Sequence, residues 1–192
     1  MANADSPMGF RPRRKVGGGA PGQANAYPLA SAYSSNIFTG DAVVLSSGKV
    51  QVATASSDGL QGVFAGCQYT ASNGDIVFSA HWPASTVTSG SVDAVAYVYD
   101  DPDTIFEAQV SDDVAFVLAT HNYSLCDLVS THAGSTVTGQ SKQELLVGTA
   151  GDEQFQVLQL IDRVNNAVGN WAKVECKIHN HALIGAYSVT TG

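Results

Sequence analysis

From Tyr27 onward the chain is a succession of short apolar runs of four to ten residues, each stopped by a cluster of Gly, Asn, Asp or Ser. A helix that packs on a core needs about ten or more residues of 3.6-residue periodicity, and no such stretch is present. Short runs between turn residues are the pattern of strands. Composition points the same way. The chain has 19 Ser, 13 Thr and 19 Gly, and charged residues make up 14% of it, well under the usual value of about 25%. It is poor in the Glu, Lys and Leu that build long helices. The expected fold class is mainly β, and 192 residues are enough to bury a core without a metal or disulfide.

Individual strands can be placed by local signals. Ala42-Val43-Val44-Leu45 and Lys49-Val50-Gln51-Val52-Ala53 flank Ser46-Ser47-Gly48 as a hairpin. Leu60 to Tyr69 and Asp75 to His81 form a second hairpin across Ser72-Asn73-Gly74, where Asn-Gly supplies the positive φ angles of a tight turn. Val92 to Tyr99 and Thr104 to Val110 are joined through Asp100-Asp101-Pro102-Asp103. The clearest period-2 segment is Trp171 to Ile178: Ala172, Val174, Cys176 and Ile178 define a core face, and Trp171, Lys173, Glu175 and Lys177 an opposite one. Phe155 to Asp162, apolar on both faces, reads as a central strand buried on both sides. Residues 122–150 read as an irregular insertion, with a helical turn at Leu125 to Val129 and a capping-box match at Ser141-Lys142-Gln143-Glu144.

Residues 1–26 differ from the body, 27–192. They hold three of the six prolines and the run Gly17-Gly18-Gly19-Ala20-Pro21-Gly22, and the expectation is an extended arm. Arg11, Arg13, Arg14 and Lys15 supply four of the nine basic residues within five positions. From residue 16 onward 5 basic and 16 acidic residues leave a net of -11, which repels nucleic acid and anionic membrane. Met8 and Phe10 beside the charges favour docking of this arm on an acidic protein groove over a solvated tail. Four cations without interleaved aromatics are a weak nucleic-acid signal.

Reactive chemistry finds little support. Cys67, Cys126 and Cys176 are odd in number, widely spaced and form no CxxC pair, arguing against a disulfide framework and a zinc site, and for a reducing, cytosol-like compartment. His179 and His181 share a strand face but lack a third ligand at useful spacing. Asp100, Asp101 and Asp103 cluster like a calcium loop, yet Pro102 interrupts them, so a solvated turn is expected. The Gly17–Gly22 run lacks the Gly-Lys-Ser/Thr ending of a phosphate loop, and no Gly-x-Ser-x-Gly elbow occurs. The expectation is a non-enzymatic protein with no cofactor. No stretch approaches the ~18 apolar residues of a membrane span.

The stretch from Gly40 through Ala55, Gly-Asp-Ala-Val-Val-Leu-Ser-Ser-Gly-Lys-Val-Gln-Val-Ala-Thr-Ala, followed by Gly62-Val63-Phe64-Ala65-Gly66, resembles the signature hairpin of the decoration (cement) proteins of tailed-bacteriophage heads. Ala2 to Pro12 and Leu160 to Gly169 are also similar to structural proteins of tailed phages. The resemblance implies a small β-barrel or β-tulip-like body, often trimeric, on the exterior of the capsid of a virion assembled in the host cytoplasm. It implies an extended N-terminal arm, with Met8, Phe10, Arg11, Arg13, Arg14 and Lys15 as the residues that meet the major capsid protein. One alternative is a tail or adhesin-like β module binding host glycan through Tyr97, Tyr99 and Trp82. Another is a β-fold hydrolase using His179, His181 and nearby Asp residues.

Overall fold

The computed structural model describes residues 3–131, 134–148, 151 and 153–184. The protein is mainly β. Fourteen strands are present among these residues: β1 Arg11–Lys15, β2 Asn25–Leu29, β3 Ile37–Phe38, β4 Ala42–Ser46, β5 Lys49–Val52, β6 Gly62–Thr70, β7 Ile76–Ser79, β8 His81–Trp82, β9 Ala94–Tyr99, β10 Thr104–Gln109, β11 Leu125–Val129, β12 Glu144–Val147, β13 Phe155–Leu160 and β14 Lys173–Ile178. One four-residue helix, α1, spans Leu118–His121.

Most strands fall into two antiparallel sheets. The first has the order β2-β9-β6-β4-β5, with β7 added to β6. It curls until its ends meet: β2 packs against β5, and the Tyr33 hydroxyl accepts a bond from the Val52 amide. Its interior is filled by Leu29, Ile37, Val43, Val50, Phe64, Cys67, Trp82, Ala94, Ala96 and Val98, all at most 3% exposed. Every one comes from the contiguous segment 29–98, so this small barrel builds its core locally. Each fully buried Leu, Val or Phe contributes roughly 1.5–3 kcal/mol.

The second sheet has the order β1-β10-β14-β13-β11-β12. It also curls, because Val110, just past β10, bridges Leu145 of β12. Phe106, Ala108, Cys126, Leu128, Leu145, Phe155, Val157, Val174 and Cys176 fill its concave side, and Phe10, Ala42, Leu60 and Val63 close it. Ala42 and Val63 belong to the outer wall of the barrel, so that wall is the lid of the second core. Buried amides lock the two together. Gln143 Oε1 accepts the Ala42 amide at 2.7 Å, and Gln154 donates to the Thr54 and Ser57 carbonyls at 2.9 and 2.7 Å.

Both expected hairpins form, β4 with β5 and β6 with β7. The strands flanking Asp100 to Asp103 form as well, but β9 belongs to the barrel and β10 to the second sheet. Their linker is therefore a crossing between sheets. The core face of β14 is as expected, with Val174 and Cys176 fully buried.

Three expectations are corrected. Leu125 to Val129 is not a helical turn but β11, pairing with β12 and β13, so the segment 122–150 supplies two strands of the sheet. Its residues 132, 133, 149 and 150 lie outside the described residues. Ser141-x-x-Glu144 caps no helix: Glu144 opens β12 and is buried against Gln109 at 2.7 Å. Finally, β13 is buried on one face only, since Gln159 is exposed while Phe155 and Val157 are enclosed.

Candidate functional site

The basic segment lies on the body. β1 pairs antiparallel with β10, Arg11 opposite Glu107 and Lys15 opposite Thr104. Phe10 is 1% exposed and stacks on Phe155 at 4.2 Å with an interplanar angle of 3°. The backbone permits this because Gly9 has φ +65, and a Cβ there would sit 2.6 Å from the Gly40 carbonyl oxygen. The Phe10 amide then donates to that same oxygen at 2.8 Å. Phe10 is thus a core residue and does not stand free to fill a niche on another protein; Met8 is half-buried beside it. The extended conformation expected for residues 1–26 holds at β1 and β2, but both are paired strands of the body.

The arginines have an internal task. On the outward face of the second sheet Glu107 of β10 lies directly opposite Glu175 of β14, and like charges in that position repel. The register of β1 shifts between Pro12 and Arg14, leaving Arg13 as an extra residue. A bulge of this kind lets two successive side chains lean to one side. Arg14 Nε and Nη2 reach the two Glu175 oxygens at 3.2 and 2.5 Å, while Arg13 lies 3.2 Å from Glu175 and 3.5 Å from Glu107. Arg163, in the loop after β13, pairs with Glu107 at 2.8 Å. Burial pushes the Glu175 carboxyl up, but the hydrogen bonds from Arg14 and Gln159 and the charges of Arg14 and Arg13 outweigh it and hold it below the usual carboxylate range.

More cations converge on this face than the β1 run alone supplies. Lys173 and Lys177 of β14 alternate with Glu175 on the outward side, and Lys15 pairs with Asp101 at 2.5 Å at the margin. Partial burial, then the neighbouring Arg163 and Arg11, depress the Lys173 ammonium, with Glu107 and Asp5 partly offsetting them. Seven of the nine basic residues therefore share one face with six carboxylates, Asp5, Asp101, Asp103, Glu107, Glu144 and Glu175, a net of +1. The rest of the chain, with two basic and eleven acidic residues, carries -9. The sequence signal for this gathering was the alternation in Trp171 to Ile178, which puts Lys173 and Lys177 on one side; which strand neighbours them was not legible.

The other candidates are dispersed. Trp82 is fully buried in the barrel, its indole N–H donating to the Tyr33 carbonyl, whereas Tyr97 bonds Gln68 on the outside and Tyr99 packs toward the second core. They line no common groove, which removes the aromatic set named for glycan binding. His179 is exposed and His181 is 1% exposed, its Nδ1 accepting the Leu183 amide. Burial pulls the His181 imidazole down, partly countered by Asp100 and Asp101. Asp100 does not sit in a solvated turn: it is 5% exposed and accepts from the Tyr27 hydroxyl at 2.5 Å and from Asn25 at 2.8 Å. Burial first, then Asp100, pushes the Tyr27 phenol up to about 12. Among the described residues no group of three His, Cys, Asp or Glu could hold a metal ion, no helix is long and apolar enough to cross a membrane, and Cys67, Cys126 and Cys176 are free and buried. Set against known proteins, the chain matches no family model, no curated protein and no solved structure.

Proposed function

We propose that the chain is a structural virion protein that binds the outer surface of a tailed-phage head and stabilises the capsid lattice. The partner is the major capsid protein, met by a homo-oligomer, with a trimer favoured. The observation that carries the reading is the segregation of charge: one face gathers seven of the nine basic residues and is +1, on a chain that is -9 elsewhere. Such a face attracts and orients a carboxylate-bearing protein surface, while the acidic remainder repels nucleic acid. The docking element in this reading is the outer face of the β1-β10-β14 region, with Arg11 and Lys177 as its outlying cations. Phe10 and the Arg14 to Glu175 pair hold that face in shape.

Cementing follows from repetition. Contacts that are weak singly, made by several copies on adjacent capsid subunits, give an avidity far above any one of them. The test is co-sedimentation of the purified protein with heads of its own phage that lack it. Binding should weaken with added salt and fall further in an Arg11→Glu, Lys177→Glu variant that keeps the wild-type melting temperature. Full binding by that variant at low salt would remove this face from the mechanism.

A further inference from the structure

We infer that β7 is a self-association edge, through which two copies of this chain join their barrels into one continuous sheet across a two-fold axis. The case begins with backbone parity. The Ala71 amide donates to the Asp75 carbonyl, and in the β6 to β7 ladder Tyr69 lies opposite Val77 and Cys67 opposite Ser79. Residues 75, 77 and 79 therefore turn their N–H and C=O groups toward β6, because such groups alternate along an antiparallel strand. Ile76 and Phe78 turn theirs outward, where no described strand receives them. At Ala80 the outward side is taken, since its carbonyl accepts the Thr39 amide.

The side chains on this short edge are also unprovided for. Ile76 is 65% exposed and Phe78 72%. They continue an uncharged row, Pro28, Val95, Gln68 and Phe78, that crosses four strands on the outside of the barrel. Exposed edges normally carry lysine, proline, a bulge or a cover. β1 has cations, Pro12 and a bulge; β2 has Pro28 and β5 has Lys49, and these two close on each other; β12 meets the end of β10. Apart from its length of four residues, β7 has none of these devices among the described residues.

A second copy of β7 is the occupant that fits. Antiparallel pairing centred on Val77 sets Ile76 opposite Phe78 twice. All four outward backbone groups of each copy then find partners, and each exposed aliphatic side chain meets an aromatic one. Electrostatics allow it in a chain of net charge -8, because the only charged residue at the seam, Asp75, falls opposite Ser79. Ile76 and Phe78 alone cannot supply the roughly 1,200 Å² of a stable interface. The pair is a weak contact that strengthens where copies are held side by side. It does not rest on the virion reading.

Sedimentation analysis from about 10 µM to about 1 mM, the range in which a contact of this size dissociates, is the direct test. The wild-type protein should double its mass reversibly toward the top of the range, whatever its state at the bottom, and Ile76→Lys and Phe78→Lys should keep the low-concentration mass with unchanged melting temperatures. Register is checked by Val77→Cys, which faces its own copy at the close spacing of a non-hydrogen-bonded pair and should cross-link under mild oxidation much faster than Asn73→Cys. A wild-type mass that does not rise with concentration, an association indifferent to the lysine substitutions, or equal cross-linking of the two cysteine variants would each overturn the inference.

Discussion

β1 and β7 are both edge strands, each tied to a single neighbour, yet their chemistry is opposite. β1 carries three cations in the five residues Arg11–Lys15 besides Arg11 itself, and these are engaged inside the molecule with Glu175, Glu107 and Asp101. β7 carries no charge, and its two large side chains touch little of their own fold. The comparison teaches that composition alone does not tell which edge serves the fold and which is left for a partner. A basic, proline-bearing run reads as a tail, but here it supplies counter-ions to two carboxylates that the β10 to β14 register forces together. A hydrophobic run reads as core, but here half of it points to solvent.

The sharpest way to break the contrast is at Phe10, adjoining β1. Phe10→Ala should cost about 3–5 kcal/mol of folding stability, the usual cost of emptying a buried aromatic site, measured as a shift in urea midpoint. An unchanged midpoint would return the segment to a free arm. Next, Arg14→Ala should cost about 1–3 kcal/mol, because it strips hydrogen bonds from a carboxylate that is itself almost wholly enclosed. Partial exposure of Arg14 argues for the lower half of that range.

Two carboxyls give opposite pH signatures. Burial raises Asp41 from 3.8 to about 6, against hydrogen bonds from the Phe38 amide and Ser141. A raised acid favours the folded state most below its unfolded value, so its contribution is full below pH 3.8 and is lost as pH climbs to about 6, on the order of 3 kcal/mol. Asp41→Asn should abolish that decline. Glu175, held below 4.5, stabilises above that pH and loses its contribution as pH falls through its lowered value. Unfolding midpoints of the wild type and Asp41→Asn at about pH 7, pH 4 and pH 2.5 separate the two effects, Asp41 acting between the first two and Glu175 between the last two. The smallest expected change is at β7: Phe78→Ala should alter stability by less than about 0.5 kcal/mol, because the ring is largely solvated. A loss resembling that of Phe10→Ala would erase the difference between the edges.

What could be read from the letters was local. The turns at Ser47-Gly48 and Asn73-Gly74 sit between strands adjacent in sequence, and both hairpins form. The alternation in Trp171 to Ile178 exposes its core face directly. Leu125-Cys126-Asp127-Leu128-Val129 misled because Leu125, Leu128 and Val129 fall at helical spacing. Counting Cys126 as apolar restores period 2, with Cys126 and Leu128 buried. The charged face was hidden for a different reason. Its carboxylates lie 94 and 161 residues from the arginines they bond, and nothing short-range announces such pairings.

Those separations carry a consequence for biogenesis. The barrel draws its whole interior from residues 29–98 and can close while the remainder of the chain is still being synthesised. The second sheet cannot, since its counter-ions and Phe10 come from residues made before the barrel and Glu175 and Phe155 from residues made well after it. A nascent chain that has emerged as far as about residue 110 would therefore present a finished barrel beside a sticky, cationic segment with nothing yet to clasp. That interval, rather than the mature state, is when this protein is most in need of a chaperone.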